Sequence, residues 1–289
     1  MHFPGCVNPG IYFKFLVHMA IDAQSPIGIF DSGIGGLTVA REVKKLLPNE
    51  QIVYFGDTAH LPYGDKSTAA IQAYSVKIAD VLIKEKCKLI LIACNSASAA
   101  AFDLVKAYVA SKALVVNVID PVVSFLGKHH NGETVGLIGT KQTVTSGVYL
   151  QKVNNLGVGI QMKSLATPLL APMIEEGFHL QNISKDIIAS YLGQTELKEI
   201  QTLVLGCTHY PLIKNQILEF FNGKIELIDA SETVARSVAD LLKFNGLLAE
   251  KKTTEKDKFL VSDYTVSFEE TTKLFFGKQI KLQKYPLWE

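Results

Sequence analysis

The sequence has little of three things that would identify its class at once: cysteine, a surplus of one charge, and long apolar runs. Its 289 residues contain four cysteines, with 29 basic residues against 28 acidic ones. So few scattered cysteines, without a CxxC pair, exclude a disulfide framework or a structural zinc site and suit a reducing compartment. Balanced charge gives no footprint for nucleic acid, and the apolar runs fall short of the roughly 20 residues of a membrane helix. We expect a cytoplasmic protein without nucleic-acid, membrane or metal partners.

The first 24 residues do not match the pattern that follows them. They lack the basic start and cleavage site of a signal peptide, and Lys14 interrupts the apolar run IYFKFLV. Met19 lies just upstream of the first clear strand and is a candidate initiator. We expect residues 1–24 to be an N-terminal extension outside the core, either disordered or a misassigned start.

From Ile27 onward, short apolar runs alternate with amphipathic segments. The runs predicted to be buried strands are IGIF, QIVYF, KLILIA, LVVNVI, TVGLIG, IQMKSLA, TLVLG, KIELIDA and KFLVS. The segment GLTVAREVKKLL predicts a helix after the first strand, and another helix is expected after Ser67, a favourable N-cap residue. Strands that alternate with helices predict mostly parallel sheets with helices on both faces, an α/β fold.

Two segments of the chain resemble each other. KLILIACNSASAAAF and QTLVLGCTHYPLIKN each run from an apolar strand through a small residue and a cysteine into polar residues that open a helix. An internal duplication would produce this pattern, and two facing halves would bring both strand ends to one cleft. Because ligands of open α/β sheets bind beyond the carboxyl ends of the strands, we expect Cys94 and Cys207 in that cleft.

Two further polar clusters follow predicted strands. Asp31 and Ser32 precede a glycine-rich turn that suits a close backbone approach to an anion. This turn is not a dinucleotide fingerprint, because Thr38 stands where the third glycine is needed. The turn 62–64 (PYG) is rigid and is expected to present the Tyr63 hydroxyl, since loops on a rigid scaffold often carry binding residues. A turn without function is the alternative at both places.

The cysteines are the candidates for chemistry. Cys94 opens an Ala-rich helical segment, and a helix N-terminus lowers a thiol pKa from its free value of about 8.5 by stabilising the thiolate. Cys207 precedes His209, and Pro211 favours a helix start near it. The alternatives are an inert buried thiol or, for Cys207 with His209, a partial metal site that lacks further ligands. Cys87 has no polar residues after it and is interpreted as structural.

Two activated thiols at equivalent strand ends suggest a symmetric reaction. The simplest one removes a proton from one face of a carbon and returns a proton to the other face, which is racemisation. One thiolate acts as base and the opposite thiol as acid, and such groups work best with a pKa near the operating pH. Asp31 and His209 are the candidate partners that orient the thiols or relay protons.

The motifs FDSGIGGL, PYG, ACNSAS and LGCTHYPL, in this order and at these separations, resemble those of the cofactor-independent glutamate racemases of the aspartate/glutamate racemase superfamily. The resemblance covers the chain from Ile27 to its end. It implies two pseudo-symmetric three-layer domains, residues 25–118 plus 228–289 and residues 119–227, with the active site in the cleft between them. It also implies interconversion of L- and D-glutamate without a cofactor, which supplies D-glutamate for peptidoglycan.

The resemblance implies roles for individual residues. Cys94 resembles the cysteine that acts on the D-enantiomer, Cys207 the one that acts on the L-enantiomer, and Asp31 and His209 their proton-transfer partners. The residues that resemble substrate contacts are Asp31, Ser32, Tyr63, Gly64, Asn95, Ser96, Thr140, Thr143, Thr208 and His209. Ser96 is a departure, because the family usually has Thr there. Serine keeps the hydroxyl and loses a methyl group with its rotamer restraint, so we expect activity to survive.

Other interpretations remain open at this point. Relatives often form homodimers, and some with N-terminal extensions are activated by a peptidoglycan precursor. Within the superfamily, the alternative is a racemase of another acidic amino acid, chiefly aspartate. From different classes, a thiol hydrolase would need only Cys207 and His209, and a non-catalytic binding protein would need neither thiol. The presence of all four polar clusters argues against the binding protein.

The variant Cys94→Ala separates the two enzyme classes. A single-cysteine hydrolase would keep its turnover, because its nucleophile Cys207 and its base His209 are intact. A two-base racemase would lose its turnover, because one of the two proton-transfer groups is gone. Turnover of the variant and of the wild-type protein, measured side by side, checks this; unchanged racemisation in the variant contradicts the two-base hypothesis.

Overall fold

The computed structural model describes residues 21–289, which fold into two parallel β-sheets flanked by helices. The strands are β1 (Ile27–Asp31), β2 (Ile52–Gly56), β3 (Leu89–Ile92), β4 (Leu114–Asn117), β5 (Thr134–Gly139), β6 (Gln161–Ala166), β7 (Thr202–Gly206), β8 (Glu226–Asp229), β9 (Lys258–Val261) and β10 (Gln283–Lys284). The helices are α1 (Leu37–Leu46), α2 (Thr68–Lys84), α3 (Asn95–Val109), α4 (Ile119–His129), α5 (Lys141–Thr145), α6 (Val148–Asn154), α7 (Leu170–Glu175), α8 (Ile183–Leu192), α9 (Lys214–Phe220), α10 (Ala230–Phe244) and α11 (Val266–Phe276). Short 3₁₀ helices cover Tyr63–Asp65, Phe178–Leu180, Thr195–Leu197 and Tyr210–Ile213.

The two sheets repeat one topology. The first sheet has the order β10-β9-β2-β1-β3-β4 and the second β6-β5-β7-β8. All strand pairs in both sheets run parallel. The order β2-β1-β3-β4 in the first sheet is matched place for place by β6-β5-β7-β8 in the second. This repeat confirms the predicted pseudo-symmetric α/β fold, and it makes the ends of β3 and β7 equivalent positions.

The central strands are apolar along their length because helices cover both faces of a parallel sheet. Every residue of β1, β2, β3 and β7 is buried. The prediction of a buried strand is wrong for β6 and β8, the two edge strands of the second sheet, in which only Leu165 and Ile228 are buried. The sequence did not indicate β10, because both of its residues are polar and exposed and it exists through its pairing with β9.

The helices form where the sequence predicts them. The Ser67 side chain caps α2 by accepting a hydrogen bond of 3.3 Å from the Ala70 backbone N–H. Helix α1 buries Leu37, Ala40 and Val43 on one face. Apolar side chains from both sheets belong to one continuous core cluster, so the two halves pack directly on each other. None of the helices between residues 21 and 289 is long and apolar enough to cross a membrane.

Part of the predicted N-terminal extension is folded. Residues 1–20 lie outside the described residues, but Ile21 packs against the core and the Ala23 carbonyl accepts a hydrogen bond from the Lys88 ammonium. The prediction that all of 1–24 lies outside the core is therefore wrong for this short piece. The domain boundaries remain a prediction. Strand β8 spans the boundary that is expected between residues 227 and 228.

One buried ion pair connects residues 21–24 to the first sheet. Lys88, just before β3, is fully buried and pairs with Glu50. The other carboxylate oxygen of Glu50 accepts a hydrogen bond of 2.8 Å from the Ala249 backbone N–H. Because an unpaired buried charge is costly, the pair holds three chain segments together.

We expect Lys88→Met to lower the free energy of unfolding by about 3 kcal/mol or more, because it leaves the Glu50 carboxylate buried without its cation. Lys45→Met is the matched control: Lys45 pairs with Glu42 at 3.3 Å but its side chain is 75% exposed. That change should cost about 0.5 kcal/mol or less. Urea unfolding of both variants measures the difference, and equal effects would contradict this account.

Candidate active site

The carboxyl ends of both sheets meet at one cavity of about 30 Å³. Predicted site residues that line it are Ser32, Tyr63, Gly64, Cys94, Asn95, Ser96, Thr140, Cys207, Thr208 and His209. Asp31 and Thr143 are fully buried behind this lining. A water molecule needs about 10–15 Å³ of such space, so in this conformation the cavity has room for about two water molecules and not for an amino acid. A larger groove of about 630 Å³ between α4 and α10 contains neither Cys94 nor Cys207.

Cys94 is the N-cap residue of α3. Its sulfur accepts a hydrogen bond from the Ala97 backbone N–H at 3.4 Å, and the thiol donates to the Ser32 hydroxyl at 3.7 Å. The prediction of a lowered thiol pKa is nevertheless wrong. Burial raises the pKa of Cys94 to about 12, and the nearby Asp31 charge adds to this increase. Loss of hydration outweighs the helix N-terminus, so Cys94 is a neutral thiol at neutral pH.

Asp31 ends β1 and lies in the fully buried layer behind Ser32. One carboxylate oxygen accepts a hydrogen bond of 3.2 Å from the Gly33 backbone N–H. The other, Oδ1, has no hydrogen-bond partner within residues 21–289. Burial raises the pKa of Asp31, and the positive charge of His209 partly opposes this increase. Asp31 is therefore a carboxyl group with a free oxygen that can take up a proton.

Cys207 follows β7 and is paired with a histidine. The His209 Nδ1 lies 3.6 Å from the Cys207 sulfur, and its Nε2 lies 2.8 Å from Oε1 of Glu175. Burial lowers the pKa of His209, but the hydrogen bonds with Cys207 and Glu175 outweigh it and raise this pKa well above its ordinary value. The imidazolium form is therefore favoured, and its two N–H groups can face the sulfur and the carboxylate.

The helix start expected near Cys207 is present, but it belongs to a short 3₁₀ helix. A 3₁₀ helix starts at Tyr210, with Pro211 in its first turn, and α9 begins only at Lys214. Cys207 and Cys94 therefore occupy equivalent strand ends with different local backbones. Only Cys94 has its sulfur at the cap of a long helix.

Glu175 is a functional candidate that the sequence did not reveal. It ends α7, lines the cavity and binds the His209 ring. In the sequence it is one of two adjacent glutamates, and its exposed neighbour Glu176 looks the same. The pattern MIEEG contains no signal that distinguishes the two glutamates. The position of α7 beside the cavity decides that Glu175 is the one that meets His209.

The glycine-rich turn after β1 packs across the cleft. A Cβ atom on Gly35 would lie 2.6 Å from the Thr208 hydroxyl oxygen and still closer to the His209 ring. The Thr38 hydroxyl donates a hydrogen bond of 3.1 Å to the Thr208 carbonyl. Glycine is therefore required at residue 35 for close contact with the second half of the protein, whereas the sequence suggested approach to an anion.

Hydroxyl and amide groups from both halves meet on the side of the cavity that is lined by Asn95, Ser96 and Thr140. The Ser96 Oγ lies 2.8 Å from the Thr140 Oγ1, and the Thr143 Oγ1 lies 3.1 Å from that of Thr140. The Tyr149 hydroxyl donates a hydrogen bond of 2.8 Å to Oδ1 of Asn95. These contacts fix the Asn95 amide and place three hydroxyl groups beside the cavity.

Tyr63 and Gly64 line the cavity, and the Tyr63 hydroxyl is bound to a residue outside it. This hydroxyl donates a hydrogen bond of 2.7 Å to the buried Asp57 carboxylate. Burial raises the pKa of Tyr63, and the Asp57 charge raises it further, so the hydroxyl keeps its proton. The prediction that this turn presents a free hydroxyl is wrong.

Two remaining predictions concern metals and Cys87. Within residues 21–289, no group of three or more His, Cys, Asp or Glu side chains is arranged to hold a metal ion. Cys87 is buried beside Gly28, and burial raises its pKa to about 12. It lies outside the cavity, in agreement with its interpretation as structural.

The fold and the site together define the class of the protein: an α/β enzyme whose two parallel sheets each contribute a cysteine to a shared cleft. The family model of Asp/Glu/Hydantoin racemase matches residues 36–238. The chain is 39% identical to the glutamate racemase of Chlorobaculum parvum over 260 residues, 90% of this chain and 95% of the relative. It is 40% identical to that of Chlorobium phaeobacteroides over 91% of this chain and 96% of the relative.

A solved structure agrees with these sequence matches. Glutamate racemase from Francisella tularensis, determined in complex with D-glutamate, superimposes with a TM-score of 0.86 at 37% identity, over 92% of this chain and 99% of that one. The chain belongs to the Asp/Glu/Hydantoin racemase family.

We expect Glu175→Gln to lower the pKa of His209, because the change removes a negative charge 2.8 Å from Nε2. If His209 relays protons to Cys207, the variant should also lose about tenfold or more in kcat. Nuclear magnetic resonance titration of the ¹⁵N-labelled ring, assigned with His209→Asn, measures the pKa. Glu176→Gln is the adjacent control, and a His209 pKa that moves equally in both variants would contradict the pairing.

Proposed function

We propose that the protein interconverts L- and D-glutamate by removing the α-proton from one face of the substrate and returning a proton to the other. The observation that carries the proposal is the pair of thiols, Cys94 and Cys207, which line one cavity from equivalent ends of β3 and β7. A thiol hydrolase has no use for a second thiol in the equivalent position. The relatives that are 39% and 40% identical to this chain are glutamate racemases, which supports glutamate over aspartate as the substrate.

In the direction from L- to D-glutamate, the Cys207 thiolate is the proposed base. The Cα–H bond breaks, an S–H bond forms at Cys207, and the electron pair of the broken bond delocalises into the substrate carboxylate. Cys94, a neutral thiol because of its raised pKa, then gives its proton to the opposite face. One proton is taken and one is given, so no oxidant or other co-reactant is needed. The His209 imidazolium supports the Cys207 thiolate with an N–H···S hydrogen bond.

In the opposite direction, Cys94 must start as the thiolate. Asp31 is the proposed acceptor of its proton, because the Asp31 pKa is raised and Oδ1 is free of hydrogen bonds within the described chain. The two directions therefore use different partners: a carboxyl group for Cys94 and a histidine with Glu175 for Cys207. Asp31, His209 and Glu175 act through the thiols, and Cys94 and Cys207 are the proposed catalytic residues.

The polar wall supports binding of the substrate carboxylates. Ser32, Asn95, Ser96, Thr140 and Thr208 supply hydroxyl and amide hydrogen-bond donors at the cavity. Tyr63, Gly64 and the ring of His209 complete its lining, and Thr143 supports Thr140 from behind. Ser96 already makes its 2.8 Å contact with Thr140 through the hydroxyl that serine and threonine share, which supports activity with serine at this position.

We further propose that the D-glutamate serves peptidoglycan synthesis in the cytoplasm, and that the substrate enters by separation of the predicted domains, residues 25–118 plus 228–289 and residues 119–227. The cavity of about 30 Å³ supports such an opening step. A homodimer and activation by a peptidoglycan precursor stay predictions from the family resemblance.

Proton NMR of L-glutamate in deuterated water, with purified protein and no added cofactor or metal, tests the proposal. We expect the α-proton signal to disappear while optical activity decays to zero, because each turnover returns a solvent-derived deuteron to Cα. Reaction of L-aspartate without reaction of L-glutamate would support the alternative substrate. No exchange with either amino acid, with or without a peptidoglycan precursor, would overturn the racemase proposal.

The same assay on Cys94→Ser and Cys207→Ser tests the roles of the thiols. Each variant should lose racemisation in both directions by about a hundredfold or more, because one face of Cα then lacks a proton-transfer group. Cys87→Ser is the matched control, since Cys87 is equally buried but outside the cavity. Wild-type racemisation in either site variant would refute the two-thiol mechanism.

A further inference from the structure

One wall of the cavity is held in place by a carboxylate that lies outside it. Asp57 follows β2 and is fully buried. Its Oδ2 accepts the hydrogen bond from the cavity-lining Tyr63 and also lies 3.0 Å from Nδ1 of His60. Its Oδ1 accepts hydrogen bonds from the Ser262 hydroxyl at 2.7 Å and from the Trp288 indole N–H at 2.8 Å. Both carboxylate oxygens are thus occupied.

The indole donor comes from the C-terminal tail, which we define as residues 283–289. Trp288 is the single tryptophan of the chain. Its ring packs edge-on against His60 at 4.5 Å and against Tyr74 at 5.3 Å between ring centroids. Lys77 places its ammonium 4.8 Å above the same ring. The tail is therefore docked on the loop that carries Tyr63 and on helix α2.

This arrangement restrains the cavity wall as well as the tail. A buried carboxylate needs hydrogen-bond donors to offset its lost hydration, and donors on both oxygens also fix its rotation. Ser262 and Trp288 occupy Oδ1, which leaves Oδ2 aimed at the Tyr63 hydroxyl. The Asp57 backbone N–H also donates to the Asp31 carbonyl at 3.0 Å, so this carboxylate adjoins the Cys94 side of the site.

We infer that Trp288 is a positioning residue for substrate binding: through Asp57 it fixes the Tyr63 wall of the cavity. The inference rests on the proposed function and extends it to the C-terminal tail. Trp288 and Asp57 do not line the cavity. Their loss should therefore weaken glutamate binding by loosening the wall, and the proton-transfer groups themselves stay in place.

The variant Trp288→Phe tests this inference, because it keeps one aromatic ring in place and removes the indole N–H together with the five-membered ring that carries it. We expect KM for L-glutamate to rise about three- to tenfold while kcat changes less than about twofold, since one hydrogen bond to a charged group is lost. Without substrate, hydrogen exchange should become faster in residues 57–66, whose His60 and Lys66 amides are hydrogen bonded within the loop. Trp288→Ala, which also removes the packed ring, should have the larger effect on both.

Tyr285→Phe is the matched control from the same tail. Tyr285 packs its ring edge-on against Phe55 at 5.8 Å, so the change keeps this ring, removes one hydroxyl group and leaves the hydrogen bonds of Asp57 untouched. KM and loop exchange in this control should equal those of the wild-type protein. If Trp288→Phe behaves like the control, the inference is wrong. Faster exchange throughout the chain would also overturn it, because Trp288 would then stabilise the whole fold without a specific effect on the wall.

The two readouts separate this inference from the proposed function. Loop exchange is measured without substrate and does not depend on any reaction. If the wild-type protein fails to racemise glutamate, the proposed function fails, and the exchange of residues 57–66 still decides whether Trp288 holds the wall. If racemisation is normal and exchange is unchanged in Trp288→Phe, only the role of Trp288 fails.

Discussion

Loss of hydration where the two sheets meet is the constraint on which the site depends. Cys94, Asp31 and His209 are each less than 10% exposed, so their charged forms must be stabilised by neighbours instead of water. The neighbours differ, and the protonation states follow from them. Burial raises the pKa of the Cys94 thiol, whereas hydrogen bonds with Cys207 and Glu175 raise the pKa of His209 in spite of burial. The same desolvation strengthens every hydrogen bond that remains in the cleft.

The duplicated topology supplies two equivalent positions, and the local contacts make them chemically different. Both thiols follow the third strand of a 2-1-3-4 parallel unit. Cys94 caps the N-terminus of α3 and lies near the charge of Asp31, while Cys207 precedes a short 3₁₀ helix and contacts His209. A pair of thiols with unlike partners suits a reaction in which one group must give a proton when the other takes one. Symmetry of the fold therefore does not make the two thiols chemically equivalent.

Contacts between the halves are made by groups that also define the cavity. Gly35 lies against Thr208 and His209, and Ser96 contacts Thr140 across the cleft. The cavity is narrow because these contacts hold the two halves close together at its walls. Residues far from the cleft in sequence take part in the same way: Trp288 reaches Asp57 from the end of the chain.

The sequence by itself determined the α/β class, nine of the strands and both thiols, because strand and helix periodicity are local and each cysteine directly follows an apolar run. The tertiary structure decided how deeply those groups are buried, which partners they bind and therefore how their pKa values shift. Glu175 rather than Glu176 meets His209, the Tyr63 hydroxyl is bound to Asp57, and the Cys94 pKa is raised although a helix N-terminus favours a thiolate. These outcomes depend on burial and on partners up to 231 residues away along the chain, as for Trp288 and Asp57. Local patterns record backbone preference and apolar spacing, whereas desolvation and long-range pairing exist only once the two sheets have packed together.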